Sequence, residues 1–88
     1  MRVAHVQYST HFIRSFKKLP AGLKRKIVVC EQHFLVDCFD SILDTHKLAG
    51  RLEGFWAFSV TRKHRVLFCF EEDGSVTFID VGDHGIYR

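Results

Sequence analysis

Trp56-Ala57-Phe58-Ser59-Val60, Arg65-Val66-Leu67-Phe68-Cys69-Phe70 and Val76-Thr77-Phe78-Ile79-Asp80-Val81 are the stretches on which the fold of this chain turns. Each alternates with a period of two, the repeat of a half-buried strand. Trp56, Phe58 and Val60 oppose Ala57, Ser59 and Thr61, while Val66, Phe68 and Phe70 oppose Arg65, Leu67 and Cys69. Thr61 to His64 reads as a hairpin connection, and Asp73-Gly74 is a strong hairpin turn signal. The three segments therefore form a meander. Alternation puts Asp80 on the same side as Val76 and Phe78, where a carboxylate needs a backbone amide or a cation.

Upstream, Val3 to Tyr8 reads as a short strand, and Ser9 or Thr10 offers an N-cap. Phe12, Ile13, Phe16 and Leu19 follow at helical spacing. Pro20 and Gly22 punctuate the chain, and Pro20 suits the start of a second helix. That helix carries Leu23, Ile27, Val28, Cys30, Phe34 and Leu35 on a broad apolar face, opposite Lys24, Arg25 and Glu31. From Asp37 to Thr45 the polar residues break any period, so a loop returning to the sheet is expected. Gly50 and Gly54 bracket a further turn. The order is β-α-α-β-β-β, an α+β domain with a two-helix hairpin packed on an antiparallel sheet.

One domain spanning residues 1–88 is expected, small but with 47% apolar residues and nine Phe to build a core. Cys30, Cys38 and Cys69 are odd in number and suit buried thiols in a reducing cytosol better than a disulfide framework. Met1-Arg2-Val3-Ala4-His5 has no apolar leader core, and no apolar run is long enough for a membrane span. A cytoplasmic protein is expected. The net charge is only +3, yet Arg2, Arg14, Lys17, Lys18, Lys24, Arg25 and Lys26 precede the first acidic residue, Glu31. Such asymmetry fits a polyanion, an acidic protein partner, or simply a solvated helix surface.

The chemistry-bearing residues gather late in the chain. His46-Lys47 precedes the meander, Arg65 opens its second strand, and Asp83-His84-Gly85-Ile86-Tyr87-Arg88 ends it. A meander brings the Arg65 end of one strand beside the Val81 end of the next, so Arg65 and His84 are expected to be neighbours. Histidine titrates nearest neutrality and can take and give protons there. Cations can hold a phosphate as charge builds on it. No metal is expected, because Cys30 and His33 lack a companion Cys-x-x-Cys or His-Glu-x-x-His. No glycine-rich phosphate loop is present either, and no cofactor is implied.

His46-Lys47-Leu48 followed by Gly50, Leu52-x-Gly54-x-Trp56, Arg65-Val66-x-Phe68 and Asp80-x-Gly82-x-His84 carry a resemblance. In order and spacing, over essentially the whole chain, they resemble the RelE/ParE superfamily of type II toxin-antitoxin toxins, and within it the YafQ-like mRNA interferases. The resemblance implies a RelE-like fold and a metal-independent endoribonuclease that cuts mRNA on the ribosome. There the 2′-hydroxyl attacks the adjacent phosphate, leaving a 2′,3′-cyclic phosphate and a 5′-hydroxyl. It implies His46 and His84 as catalytic histidines, Arg65 at the phosphate and Tyr87 completing the site. It also implies a cognate antitoxin as partner, besides ribosome and mRNA, with a higher-order toxin-antitoxin complex open. Ser59 and Lys63 depart from the pattern, standing where that branch can place a His and an Asp. RNA contact would then lean on Lys47, Arg62 and Lys63. The alternatives are a ParE-like poison of DNA gyrase, which has no use for proton donors, and a non-catalytic RNA- or protein-binding module.

Overall fold

The computed structural model describes residues 1–83 and Ile86; His84, Gly85, Tyr87 and Arg88 lie outside the described residues. The elements are β1 (Val6–Tyr8), α1 (Thr10–Lys17), α2 (Ala21–Val36), β2 (His46–Lys47), β3 (Trp56–Ser59), β4 (Arg65–Phe70) and β5 (Val76–Gly82). They build one five-stranded sheet in the order β1-β5-β4-β3-β2. The expected α+β fold is present, with two refinements. A two-residue strand, β2, adds to the meander, and β1 runs parallel to β5 in an otherwise antiparallel sheet.

Local chemistry explains the helix starts. The Ser9 hydroxyl oxygen accepts from the Phe12 amide, capping α1, and the same hydroxyl donates to the Ile79 carbonyl. One side chain thus ends β1, starts α1 and ties both to β5. Pro20 occupies the N-cap of α2, where its missing N–H costs nothing.

The core lies between the helices and the sheet. Phe34 of α2 is fully buried, with ring centroids 5.1 Å from Phe58, 4.9 Å from Phe68 and 5.4 Å from Phe78. One aromatic ring therefore touches β3, β4 and β5 at once. The expected broad apolar face of α2 is narrower than its composition suggests. Ile27 and Phe34 are buried, whereas Val28 and Val29 stay about half exposed. A single helix layer on a sheet covers only the stripe that faces it.

The alternation of β5 is also interrupted. Leu67 pairs with Asp80, but Phe68 pairs with Phe78, so β5 carries one extra residue, Ile79. After this bulge Val81 turns into the core with Val76 and Phe78, and all three are buried. Asp80 finds the partners its position demands. It accepts from the Ser15 hydroxyl and the Val81 amide, and its other oxygen lies 3.1 Å from His11 Nε2.

Asp37 to Thr45 is not a plain loop. Ser41–Leu43 forms a 3-10 turn capped by the Asp40 carboxylate, with Leu43 buried beneath it. Asp37 accepts from the Phe39 amide and pairs with the N-terminal ammonium at 2.6 Å. Short-range aspartate-to-backbone bonds of this kind leave no periodic trace. All three cysteines are free thiols. Cys38 is buried, Cys30 and Cys69 are half-buried, and burial pushes each thiol's pKa upward.

Two outcomes are expected. Phe34→Ala should cost about 3–5 kcal/mol of stability by urea denaturation, the usual range for a buried ring that cannot be replaced by collapse. Partial desolvation and its bond to the Glu31 carboxylate push the exposed Tyr8 phenol up to about 12. A raised folded-state value means its contribution to stability is present below the ordinary tyrosine range and is lost as pH rises through about 12. In a Tyr87→Phe background, tyrosinate absorbance should therefore rise at higher pH than for a free tyrosine, and Glu31→Gln should bring the transition down.

Candidate functional site

Strand register decides which candidate residues meet. His46 pairs with Ala57, and Ala57 with Leu67. Ser59 pairs with Arg65, and Arg65 with Gly82. Directly paired residues share a face, and so do residues two apart on one strand. His46, Ser59 and Arg65 therefore lie on the face turned away from the helices. Two strand spacings and one two-residue repeat separate His46 from Arg65, roughly 12 Å between Cα atoms. Lys47 goes the other way. It pairs with Trp56, which pairs with Phe68 of the core, and its ammonium lies 5.9 Å over the indole ring. Lys47 and Trp56 line a surface cleft of about 530 Å³ with Leu48, Gly50, Glu53 and Gly54.

His46 is exposed and oriented. Its Nδ1 lies 2.9 Å from the Asp44 carbonyl. A carbonyl can only accept, so the neutral ring carries its proton on Nδ1 and leaves Nε2 as a lone-pair acceptor. Asp44 makes this contact from a left-handed backbone conformation, with φ at 49°, at the end of the 3-10 turn. The loop between α2 and β2 thus sets the tautomer of the histidine that follows it. The run of aspartates at 37, 40 and 44 was the available signal, but nothing in it points to His46.

Arg65 is half-buried at the mouth of the β3–β4 hairpin. Its Nη1 donates to the carbonyls of Thr61 at 2.7 Å, Arg62 at 3.0 Å and His64 at 3.2 Å. Among the described residues, all the hydrogen bonds of this guanidinium leave from Nη1. The group is thereby fixed in place while its remaining N–H edge is not used by those residues. Thr61 braces the same turn, its oxygen accepting from the Lys63 and His64 amides. Having accepted twice, the hydroxyl turns its proton to His64 Nδ1 at 2.9 Å. His64, which carries no motif, therefore stands at the same hairpin. Arg62 and Lys63 are exposed at the tip, so three cations and an imidazole share one end of the sheet.

The expected closeness of Arg65 and His84 falls on a residue outside those described, as does Tyr87. Arg65 itself sits opposite Gly82. Gly82 itself is a residue that motif reading undervalues. A Cβ there would come within 2.8 Å of Ile86 Cγ2, and the Ile86 amide closes a turn onto the Asp83 carbonyl. The bare backbone of Gly82 lets Ile86 seat against the end of the sheet beside Arg65. Among the described residues no group of three or more His, Cys, Asp or Glu is placed to hold a metal ion. No helix among them is long and apolar enough to cross a membrane.

The arrangement defines a class. A two-helix layer on one face of a five-stranded, mostly antiparallel sheet is the RelE-like fold. No family model and no curated protein sequence matches the chain. Solved structures do. The chain is similar to a YoeB/ParE toxin from Agrobacterium tumefaciens, with a TM-score of 0.76 and 16% identity over 96% of this chain and 99% of that one. YafQ from Escherichia coli gives 0.77 at 14% identity, covering 99% and 98%. The archaeal RelE–RelB complex from Pyrococcus horikoshii gives 0.75 at 16%, covering 97% and 98%. These likenesses establish the fold across the full length of both chains.

Gly82→Ala should destabilise the protein by about 1–3 kcal/mol, the usual cost of overpacking a tight contact. Ile86→Ala in the same chain should recover most of that loss. A double-mutant cycle by chemical denaturation checks the contact, and strict additivity would show that it is not made.

Proposed function

We propose that this chain is the toxin of a type II toxin-antitoxin pair and a ribosome-dependent mRNA endoribonuclease. The observation that carries the reading is the orientation of His46. Its Nδ1–H is held by the Asp44 carbonyl, so Nε2 is free to accept a proton on the face that also bears Arg65. That is the state a general base needs. The fold adds support, since the similar solved structures are toxins, one of them described as the DinJ–YafQ toxin-antitoxin complex of Escherichia coli.

In the proposed reaction His46 Nε2 removes the proton of an mRNA 2′-hydroxyl, whose oxygen attacks the adjacent phosphorus. The 5′-oxygen leaves and takes a proton from His84. The products are a 2′,3′-cyclic phosphate and a 5′-hydroxyl, and no metal or water takes part in the step. The N–H edge of Arg65 that no described residue engages stabilises charge on the non-bridging oxygens, where it strengthens as the fifth bond forms. Fixing the guanidinium through Nη1 removes reorganisation at that moment. Tyr87 completes the site, and Arg62 and Lys63 steer the backbone of the substrate. Lys47, on the opposite face over Trp56, reaches RNA only outside the cleavage site. The partner is a cognate antitoxin, and the site of action is the cytoplasm.

The test is a bacterial cell-free translation reaction with mapping of mRNA 5′ ends. Cuts inside translated codons that vanish without ribosomes support the reading. His46→Ala and His84→Ala should each lower single-turnover cleavage by about 10²-fold or more, the scale of lost acid–base catalysis. Arg65→Ala should lower kcat more than it raises KM. Intact mRNA alongside failed DNA supercoiling would replace the nuclease with a ParE-type gyrase poison.

A further inference from the structure

Gly54 and Trp56 play no part in the proposed cleavage, yet with Lys47, Leu48, Gly50 and Glu53 they wall the cleft of about 530 Å³ at the β2 end of the sheet. Small-molecule sites occupy roughly 300–1,000 Å³. Backbone bonds hold the loop in shape, the Leu48 amide donating to the Phe55 carbonyl at 2.9 Å and the Phe55 amide to the Leu52 carbonyl at 3.0 Å. Gly50 and Gly54 stand at φ of 66° and 93°, and a Cβ at either would meet nothing within 4 Å. The wall they form is bare backbone beside open space, which a flat ring can approach closely.

The cleft is rigid where a ring would stack and unpaired where it would hydrogen-bond. Trp56, the single tryptophan of the chain, is half-buried and stands steeply against Phe39 at 5.5 Å and Phe70 at 5.3 Å. Those contacts fix the plane of the indole. Over its ring lies the Lys47 ammonium, on an exposed side chain that can swing aside. The indole N–H has no partner among the described residues, and since they leave no buried side-chain nitrogen unsatisfied, it opens to solvent. Glu53 is exposed, and no described residue engages its carboxylate. Glu53 and Lys47 thus line one cleft without pairing with each other; the ion pairs of the described residues lie elsewhere. A ligand between them has a π-face, a cation and an anion to satisfy.

We propose that this cleft binds a guanine nucleotide, with the base on the Trp56 indole, its edge on Glu53 and its phosphate on Lys47. Stacking on an aromatic ring suits every base, so Trp56 alone selects none. Glu53 does. An ionised carboxylate only accepts, and guanine is the base that sets two donors side by side, N1–H and N2–H, on one edge. Adenine would turn the lone pair of N1 towards the carboxylate, cytosine that of N3, and uracil offers a single N–H. Lys47 leaves the ring as the base arrives and meets the phosphate instead. A free mononucleotide and an unpaired guanosine of an RNA present the same chemistry. The cleft lies on the side of the sheet opposite His46 and does not depend on the cleavage reading.

Trp56 reports on the site directly, since the chain has no other indole. The full chain is titrated with GMP, AMP, guanosine and a short 2′-O-methylated oligouridine carrying one guanine, following Trp56 fluorescence and the indole N–H resonance. GMP is expected to quench the fluorescence saturably, to move that resonance, and to bind at least tenfold more tightly than AMP. Glu53→Gln, at an exposed site, should cut the preference for GMP over AMP at least tenfold while AMP still binds. Lys47→Met should weaken GMP and leave guanosine unchanged. Glu72→Gln, exposed but outside the cleft, should alter none of these affinities. Tighter binding of the oligonucleotide than of GMP assigns the site to RNA, and comparable affinities assign it to free nucleotides. Equal binding of GMP and AMP, no saturable change at the indole, or a Glu53→Gln chain that keeps the preference overturns the proposal. Parallel cleavage assays separate the two readings. A chain that cuts mRNA but ignores GMP loses this site alone, and one that binds GMP but cuts nothing loses the nuclease alone.

Discussion

One extra residue in β5 sets the geometry of everything downstream of it. Without Ile79 as a bulge, the strict period of two would turn Val81 outward and carry Asp80 towards the aromatic core. With it, Val81 completes the apolar face, and Asp80 collects the Ser15 hydroxyl, the His11 imidazole and its neighbour's amide. A carboxylate that would be costly to bury becomes the point where α1 is fastened to the sheet. The same shift brings Gly82 opposite Arg65 and so decides where the chain leaves the sheet. Bulges re-aim strands beside functional positions, and here the re-aimed segment is the one that continues to His84.

The site is assembled from carbonyl oxygens as much as from side chains. Asp44 holds His46 through its main chain, and Thr61, Arg62 and His64 hold Arg65 through theirs. Each carbonyl belongs to a turn whose shape is kept by a local polar side chain, Asp40 in one case and Thr61 in the other. Turn chemistry therefore acts on the candidate site at one remove. The hydroxyl and carboxylate shape the loop, the loop presents carbonyls, and the carbonyls orient the imidazole and the guanidinium.

That division explains what could be read from the residues alone. The meander was legible because Trp56–Phe58, Val66–Phe70 and Val76–Phe78 alternate under the plain demand of burying one face. The Ser9 cap and the Pro20 start were legible because each has a single local cause. The positions of His46 and Arg65 on one face followed from register once β2 was known, yet two residues are too few for a periodic signal. The bulge was not legible, because an insertion in a strand shows itself only through its partner strand. The Asp44 carbonyl and the steric need for Gly82 beside Ile86 were not legible either, since both are contacts between backbone and distant or non-periodic neighbours. Exposure of Val28 misled for a different reason: composition records that a side chain is apolar, and only packing decides whether anything covers it.

The two faces of the sheet are coupled through the strands they share. Phe58 and Val66, buried on the helix side, alternate along β3 and β4 with Ser59 and Arg65 on the far side. The ring of Phe34 packs 5.1 Å from Phe58 and 4.9 Å from Phe68, so the seating of α2 fixes the strands from which Arg65 and, through β2, His46 project. Close-packed interiors transmit a change of volume to their surroundings. A substitution on the helix side therefore reaches the candidate residues through the backbone without touching them, whereas one at Thr61 or Asp40 reaches them through a single turn.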